Sequence, residues 1–521
     1  MISQTELRTQ FRLSTIYNRP STYTGTREGL FVYPLTKLLV KETIKDVNAI
    51  NDICNYIDKR ILAKTTKPIE DEKLRDYQKQ DVAAMLRLKR IGLFNEQRLG
   101  KTPTVLSVLK RINEPIRTLI IAPKSTHIQW EQETNKWCTK DVKRIRGPKK
   151  QRISYYSDPN TKVYIITYET ASIDLEYLLP IINCVVLDEA HRIRNFKGQL
   201  SKQSPKFTKS IVKLAKKAKY VYPLTGTPAP SYSHQVFPLL HILYPNTFPS
   251  YWNFIDYYYR TTVIYTKQGE TKEIVGFKNE FKEQEFQEFL NINCIQRKRK
   301  DHMEWLPDTD IQIINLELDK KIRKWYNELY DTWECKELGI DCPNKLVLLQ
   351  KLIQLTSDRI DGPKTEFILD YIKDYPEEQI LITTPHTSYL KELHKLIPNS
   401  RLMIGDTTTN ERDIMKYDFN NKKYQVLLGN TDVIKEGVTL EQGNTIIVVT
   451  PSFVYAENLQ TYDRIVPTNK ELALKKDKQQ IIKLICKDTI DDYLETQLNL
   501  KKSSSDIVNN FSNERKENSK K

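Results

Sequence analysis

The stretch IGLFNEQRLGKTPTVLSVLK (residues 91–110) reads as a short buried strand, a loop and a helix. The loop ends in Gly100, Lys101 and Thr102, the last part of the phosphate-binding pattern G-x-x-x-x-G-K-[S/T]. In this order, backbone amides and the helix N-terminus turn towards a phosphate. Asn95 replaces the first glycine, a change that the loop can accommodate because asparagine tolerates left-handed backbone better than most residues. The pattern predicts that Lys101 reaches the β- and γ-phosphates of a nucleotide and that Thr102 holds Mg²⁺.

A second motif, VVLDEAHRIRN (185–195), places two adjacent carboxylates at the end of a buried strand. Such neighbours repel each other unless a divalent cation lies nearby. We therefore expect Asp188 to hold Mg²⁺ and Glu189 to orient or deprotonate an attacking water. The alternative is a strand end capped by solvated acids.

Short apolar runs ending in small or polar residues recur along the chain, separated by stretches with helical spacing. Strands that are apolar on both faces favour a parallel sheet covered by helices. The runs fall into two series, so the sequence predicts two α/β units. The first series comprises 117–125, 162–170, 184–192 and 218–227, and the second comprises 379–387, 400–406, 424–430 and 444–452.

Three weaker motifs accompany the phosphate-binding loop. Gln78 in LRDYQKQ (74–80) is expected to read the adenine edge, and Lys124 in APKS (122–125) to contact a phosphodiester. In LTGTPAP (224–230), Thr225, Gly226 and Thr227 are expected to sense the phosphate state and pass it to a bound strand. Each of these pieces alone is equally compatible with an ordinary turn.

Composition favours a polyanionic partner. The 521 residues include 82 Lys and Arg against 66 Asp and Glu, a formal net charge of +16. Nucleic acid is the commonest partner of so basic a chain, although an AT-rich genome also produces this bias. The seven cysteines form no C-x-x-C pair, which indicates a reduced, intracellular protein. We find neither a signal peptide nor an apolar run long enough to span a membrane, and expect a soluble protein.

Together these motifs resemble the superfamily 2 helicase motor of the Swi/Snf-type DNA translocases. The resemblance extends through CIQRKRKDHMEWLPDTD (294–310), GPKTEFILDYI (362–372) and GNTDVIKEGVTLEQGNTIIVVTPSFVYAENLQTYDRI (429–465). It implies two tandem RecA-like lobes with parallel sheets and a helical insertion between them. The expected boundaries are an N-terminal extension of unknown role (1–68), an ATP-binding lobe (69–235), the insertion (236–358), a second lobe (359–495) and a polar tail (496–521).

The resemblance also assigns roles in the second lobe. It implies that the segment holding Thr431 and Gly437 touches DNA and nucleotide, and that Gln460 belongs to the coupling residues. The family's last motif usually continues Q-x-x-D-R-x-x-R, but Pro467 replaces its second arginine, the usual arginine finger. Loss of such a finger costs roughly 10³-fold or more in rate. Either Arg464 takes the role, another basic residue supplies it, or the ATPase is weak.

The resemblance implies ATP hydrolysis with Mg²⁺, coupled to movement along duplex or branched DNA. The strip RKRKDH (297–302) is a candidate phosphate contact or a solvated face. Trp325, Tyr326, Tyr330 and Trp333 would stack on bases or form a helical core. We expect a monomer in the cytoplasm of a bacterial host, a phage or viral member of the family, with possible partners in replication, recombination or transcription. Two alternatives stay open: an RNA-directed helicase, and a DNA-binding protein whose ATPase has decayed.

Overall fold

A computed structural model describes residues 67–500 except 199–200, 203, 230–231, 246, 267–268, 307–308, 436–437, 469 and 477–478. Almost all of the predicted N-terminal extension and most of the predicted tail therefore lie outside the described residues. The chain divides into two compact units. The described residues up to Ala229 and His234–Lys298 form the first unit, and those from Arg299 onwards belong to the second.

The first unit is built on a five-stranded parallel sheet. Its strand order is β3-β4-β2-β5-β6, formed by β2 (Thr118–Ile121), β3 (Val142–Arg144), β4 (Val163–Ile166), β5 (Cys184–Leu187) and β6 (Tyr220–Pro223). All residues of β2, β4, β5 and β6 are buried, as expected for strands covered on both faces. The helices of this part of the chain are α1 (Asp76–Leu88), α2 (Lys101–Arg111), α3 (His127–Trp137), α4 (Lys149–Ser157), α5 (Tyr168–Ile173), α6 (Leu175–Leu178) and α7 (Lys206–Lys217).

Two-residue strand β1 (Gly92–Leu93) leads into the predicted phosphate-binding loop. It pairs in parallel with β9 (Cys294–Ile295), and Leu93 also bridges Leu224 beyond the end of β6. Between β6 and β9 the chain forms α8 (Phe237–Leu243), α9 (Tyr251–Tyr258), an antiparallel hairpin of β7 (Tyr259–Thr266) and β8 (Gly269–Phe277), and α10 (Glu280–Asn293). Part of the predicted insertion thus folds within the first unit.

The second unit contains a six-stranded parallel sheet. Its order is β10-β17-β16-β13-β15-β14, formed by β10 (Asp310–Leu316), β13 (Ile380–Thr384), β14 (Ser400–Met403), β15 (Val426–Asn430), β16 (Thr445–Val448) and β17 (Gln480–Cys486). Strands β11 (Glu334–Cys335) and β12 (Ile340–Asp341) form a small antiparallel pair. The helices are α11 (Lys320–Thr332), α12 (Lys345–Ser357), α13 (Pro363–Asp374), α14 (Thr387–Leu396), α15 (Thr409–Asn420), α16 (Thr431–Ile434), α17 (Tyr455–Tyr462), α18 (Lys470–Leu474) and α19 (Ile490–Asn499).

These sheets confirm the predicted α/β fold class, and every apolar run of the two series contains an observed strand. The aromatic residues of the predicted insertion are core residues. Trp325 and Tyr326 are buried in the second unit, and Tyr330 and Trp333 pack against the same cluster. The Tyr326 hydroxyl accepts a hydrogen bond from the Ile490 amide at 2.6 Å. Their surroundings therefore fit the core interpretation rather than base stacking.

Arg90 ties two helices of the first unit together. Its guanidinium donates to the Ala215 carbonyl at 3.1 Å and the Leu243 carbonyl at 3.4 Å, and also to the carbonyls of Ala218 and Ile242. These carbonyls lie at the C-terminal ends of α7 and α8, where helices lack internal donors and favour cations. One side chain therefore satisfies two carbonyls at each helix end.

Replacing Arg90 with Met should lower the free energy of unfolding by about 3 kcal/mol, because partly buried carbonyls lose a charged donor. Urea denaturation followed by circular dichroism measures this change. The Arg87→Met substitution is the matched control, since Arg87 is exposed on α1. Equal stability of the two variants would contradict the role assigned to Arg90.

Candidate nucleotide site

The phosphate-binding loop runs from the end of β1 to Lys101, the first residue of α2. Gly100 has φ +68°, and a Cβ there would lie 2.4 Å from the Nε2 atom of Gln78. The positive φ favours glycine, and a side chain at this position would also displace the Gln78 amide. In the described loop, Arg98 (φ +68°) and Gly100 have a left-handed backbone, and Asn95 does not need the tolerance that asparagine offers. Asn95 is instead fully buried, and its Nδ2 atom donates to the Asp81 Oδ2 atom at 2.9 Å.

Lys101 and Thr102 lie in the first turn of α2, as predicted. The Lys101 ammonium donates to the carbonyl oxygens of Asn95 at 2.9 Å and Glu96 at 3.2 Å. The lysine is thus folded back across its own loop. Thr102 is half-buried next to it. Two positively polarised groups, the ammonium and the helix N-terminus, therefore share this end of α2.

Gln78 packs against the loop. Its Nε2 atom donates to the Gly100 carbonyl at 3.1 Å and the Thr104 hydroxyl at 3.3 Å. Its Oε1 atom accepts from the Arg75 amide at 2.9 Å. These contacts give Gln78 a part in shaping the loop, in addition to the adenine contact predicted from the sequence.

Asp188 and Glu189 follow the end of β5. The Asp188 Oδ2 atom accepts from the Trp130 indole Nε1 at 2.8 Å, and Oδ1 accepts from the Glu189 amide at 3.1 Å. Burial, with the nearby charge of Glu189, raises the pKa of Asp188 to about 6, while Lys101 lowers it. Two adjacent, half-buried carboxylates favour a cation between or beside them.

Glu189 adopts a left-handed backbone (φ +48°) and leads to the third piece of the site. Its Oε2 atom lies 3.4 Å from the His191 Nδ1 atom, which is also 3.2 Å from the Thr225 hydroxyl. That hydroxyl accepts from the Thr227 amide at 3.1 Å. Gly226 faces Gln97 of the loop, since a Cβ there would lie 3.2 Å from the Gln97 Nε2 atom. His191 thus connects the acidic motif to Thr225, Gly226 and Thr227.

Lys124 stands apart from these contacts. It is exposed at the start of a 3-10 turn, Lys124–Thr126, which follows β2 and precedes α3. Helix α3 carries Trp130, which donates to Asp188. Lys124, the residue predicted to contact a phosphodiester, is therefore six positions from Trp130. An exposed lysine there is accessible to an anionic partner.

The predicted residues of the second unit form a separate group. Thr431 is buried at the start of α16, and Gln460 is buried in α17. The Arg464 guanidinium donates to the Lys435 carbonyl, while the Lys435 ammonium lies 3.0 Å from Glu457. Gly437 lies outside the described residues.

In the basic strip 297–302, the arginines form ion pairs and the lysines are exposed. Arg297 pairs with Asp81 at 2.7 Å, and Arg299 pairs with Asp463. Lys298 and Lys300 are exposed. The lysines therefore remain candidates for phosphate contacts, whereas the two arginines bind carboxylates within their own units. Pro467, in place of the second arginine of the last motif, is buried.

Sequence reasoning missed Trp130, His191 and the pairing of Asp81 with Arg297. The histidine was present in the quoted acidic motif, and its spacing from Asp188 was the available signal. Trp130 offered only an indole on a helix after β2, which equally suits a core position. Arg297 is 216 positions from Asp81, so no local pattern connects them.

The residues present fit a nucleotide with Mg²⁺. Magnesium commonly takes one or two carboxylates, with substrate phosphates and waters completing the shell. Asp188 and the Thr102 hydroxyl could supply the protein oxygens. Over the described ranges, no cluster of three or more His, Cys, Asp or Glu side chains could hold a metal without such help. Within the same ranges, no helix has the length and apolar character needed to cross a bilayer.

Curated relatives share much of the chain. Chromodomain-helicase-DNA-binding protein 7 of Homo sapiens is 28% identical over 363 residues, which cover 63% of this chain and 11% of the relative. Putative protein p41 of Acyrthosiphon pisum secondary endosymbiont phage 1 is 23% identical over 476 residues, or 83% of this chain and 97% of the relative. The chain thus spans about a tenth of the length of the human relative and nearly all of the phage relative.

Similar solved structures include the Sulfolobus solfataricus SWI2/SNF2 ATPase core in complex with dsDNA. The TM-score is 0.39 and the sequence identity is 19%, and the match covers 86% of this chain and 96% of that chain. Another is the Pyrococcus furiosus Hef helicase domain, with a TM-score of 0.49 and 14% sequence identity. This match covers 82% of this chain and 98% of that chain.

Family models match most of the described sequence. The helicase conserved C-terminal domain matches residues 363–466, and the SNF2-related domain matches residues 77–370, which is more than half of the chain. The chain belongs to the SNF2-related family.

Proposed function

We propose that this protein is an ATP-dependent DNA translocase or helicase, which couples ATP hydrolysis to movement along DNA. The observation that carries the proposal is the assembly in the first unit of a lysine at a helix N-terminus with Asp188 and Glu189 at the end of β5. His191 and Thr225 connect that acidic pair to the segment after β6. Membership of the SNF2-related family supports the same activity.

The proposed roles follow from the chemistry of each group. Lys101 would leave the carbonyls of Asn95 and Glu96 for the β- and γ-phosphates, because a phosphate is a stronger acceptor than a neutral carbonyl. Thr102 and Asp188 would hold Mg²⁺, which neutralises phosphate charge when bound. Glu189 would orient or deprotonate the attacking water. Gln78 and Gly100 would shape the nucleotide pocket.

In the second lobe, Gly437 and Arg464 would complete nucleotide binding, with Arg464 supplying charge in place of the arginine that Pro467 replaces. Lys124, the Thr225-Gly226-Thr227 segment, Thr431 and Gln460 would couple the nucleotide state to DNA. We propose that the lobes span residues 69–235 and 359–495, with residues 236–358 as a connecting insertion whose first part packs with the first unit and whose last part packs with the second. Residues 1–68 and 496–521 would flank this motor.

DNA is the proposed substrate because of the net charge of +16 and the exposed Lys124, Lys298 and Lys300. The human relative's name includes DNA binding, which points the same way. Contacts to backbone phosphates give affinity that falls steeply with salt. We further propose a monomer in the cytoplasm of a bacterial host, on the strength of the phage relative's coverage. Replication, recombination and transcription proteins are candidate partners.

A decayed ATPase is the second candidate, favoured by the buried Pro467 and by the bond from Arg464 to the Lys435 carbonyl. In that case the chain would bind DNA without turning over ATP. An RNA-directed motor is distinguished by ATP turnover that RNA stimulates more than DNA does.

The first test measures ATP hydrolysis at low salt, alone and with duplex, single-stranded or branched DNA, or with RNA. We expect DNA to stimulate turnover, and Lys101→Ala to lower it about 10²- to 10³-fold, because the group that stabilises phosphate charge is lost. Lys110→Ala is the control, since Lys110 is exposed on the same helix.

Binding to DNA with no turnover above the Lys101→Ala background would identify the decayed ATPase. Greater stimulation by RNA than by any DNA would identify the RNA-directed motor. Either result would replace the proposed function.

The contact of Trp130 with Asp188 gives a second test. Trp130→Phe keeps an aromatic ring in the core but removes the N–H that donates to the carboxylate, so we expect kcat to fall about tenfold, as for other groups that orient metal ligands. Trp137→Phe on the same helix is the control, because its buried Nε1 atom has no hydrogen-bond partner. Steady-state ATPase assays with saturating DNA measure both variants, and equal kcat values would rule out this role for Trp130.

A further inference from the structure

A buried polar network lies behind the phosphate-binding loop, outside the predicted site. Asp81 on α1 is 1% exposed. Its Oδ1 atom accepts from the Arg297 Nε atom at 2.9 Å and the Nη2 atom at 2.7 Å, and its Oδ2 atom accepts from Asn95 at 2.9 Å. The carboxylate thus joins the residue that replaces the first loop glycine to an arginine more than 200 positions away.

The backbone repeats this connection. The Phe94 amide donates to the Ile295 carbonyl at 2.7 Å, and the Glu96 amide donates to the Arg297 carbonyl at 3.0 Å. The first half of the loop therefore continues the pairing of β1 with β9. Arg297 is held to the loop by its carbonyl and, through Asp81, by its side chain.

The same loop residues hold the lysine. The carbonyls of Asn95 and Glu96 both accept hydrogen bonds from the Lys101 ammonium. Asn95 contributes its side chain to Asp81 and its carbonyl to Lys101, and Glu96 contributes its amide to Arg297 and its carbonyl to Lys101. A shift of these two peptides would move the resting position of the lysine directly.

We propose that Arg297 is a positioning residue for ATP binding, acting through Asp81 and Asn95 on the loop that places Lys101. The inference rests on the proposed function in that it assigns ATP to this loop. It separates Arg297 from the neighbouring exposed lysines: the arginine faces the nucleotide loop, while Lys298 and Lys300 stay available to an anionic partner. The guanidinium also lies 5.7 Å from the Tyr77 ring, beside Gln78.

The test must separate two roles of Arg297: positioning the loop, and neutralising the charge of Asp81. Arg297→Met alone leaves a buried carboxylate without its cation, which strongly destabilises a protein. The double variant Asp81→Asn with Arg297→Met removes both charges, so it is expected to fold. If Arg297 only neutralises Asp81, the double variant binds nucleotide as the wild type does. If Arg297 positions the loop, the double variant stays defective.

The measurement is the dissociation constant of a fluorescent ATP analogue with Mg²⁺, on the full chain. We expect Arg297→Met and the double variant each to bind about tenfold more weakly, with an increase in the KM for ATP and little change in kcat. Arg87→Met, exposed on the helix that carries Asp81, is expected to bind as the wild type does. Thermal unfolding of each variant identifies any that does not fold.

Wild-type affinity in the folded double variant would overturn the proposal and leave the proposed function standing. Conversely, a wild-type chain that binds the analogue but shows no DNA- or RNA-stimulated hydrolysis would remove the motor function, while the loss of affinity in the variants would still support Arg297. Failure of the wild type to bind the analogue would overturn both.

Discussion

The short strand β1 is the constraint on which the candidate nucleotide site depends. It contains only Gly92 and Leu93, yet it pairs with β9 on one side and bridges Leu224 on the other. The Thr225 amide also donates to the Leu93 carbonyl at 3.3 Å. The phosphate-binding loop therefore emerges from backbone held on both edges. Displacement of β9 or of the segment that begins at Leu224 would move the loop. The positions of both segments therefore affect the geometry of the loop.

The strands were predictable because a run that is buried on both faces has a composition that local sequence reveals. The runs around Val185 and Leu427 are examples, and both lie at the centre of observed strands. Strand β10 was not predicted, since Ile311 and Ile313 are exposed at an edge and its partner β17 is some 170 positions away. Burial leaves a local signature, whereas pairing between distant segments does not.

The same distinction applies within the site. Lys101 and Asp188 could be predicted as site residues because their motifs are contiguous in the sequence, and their proposed roles stay predictions. The side-chain role of Asn95 was not predicted because its pattern position drew attention to the backbone, while the fold uses its amide as a buried donor to Asp81. The left-handed position belongs to Arg98, which no pattern singled out. Side-chain partners across α1, the loop and β9 become visible only when the three segments are assembled.

The last motif shows how a departure from a family pattern can be read physically. Asp463 is held by Arg299, and the Leu440 amide donates to the Arg464 carbonyl at 2.9 Å, so the backbone of this motif is anchored despite Pro467. The Arg464 guanidinium, by contrast, donates to a neutral carbonyl. A guanidinium binds a phosphate more strongly than it binds a carbonyl, because both partners are then charged. The role proposed for Arg464 would therefore require the guanidinium to exchange the Lys435 carbonyl for a phosphate oxygen.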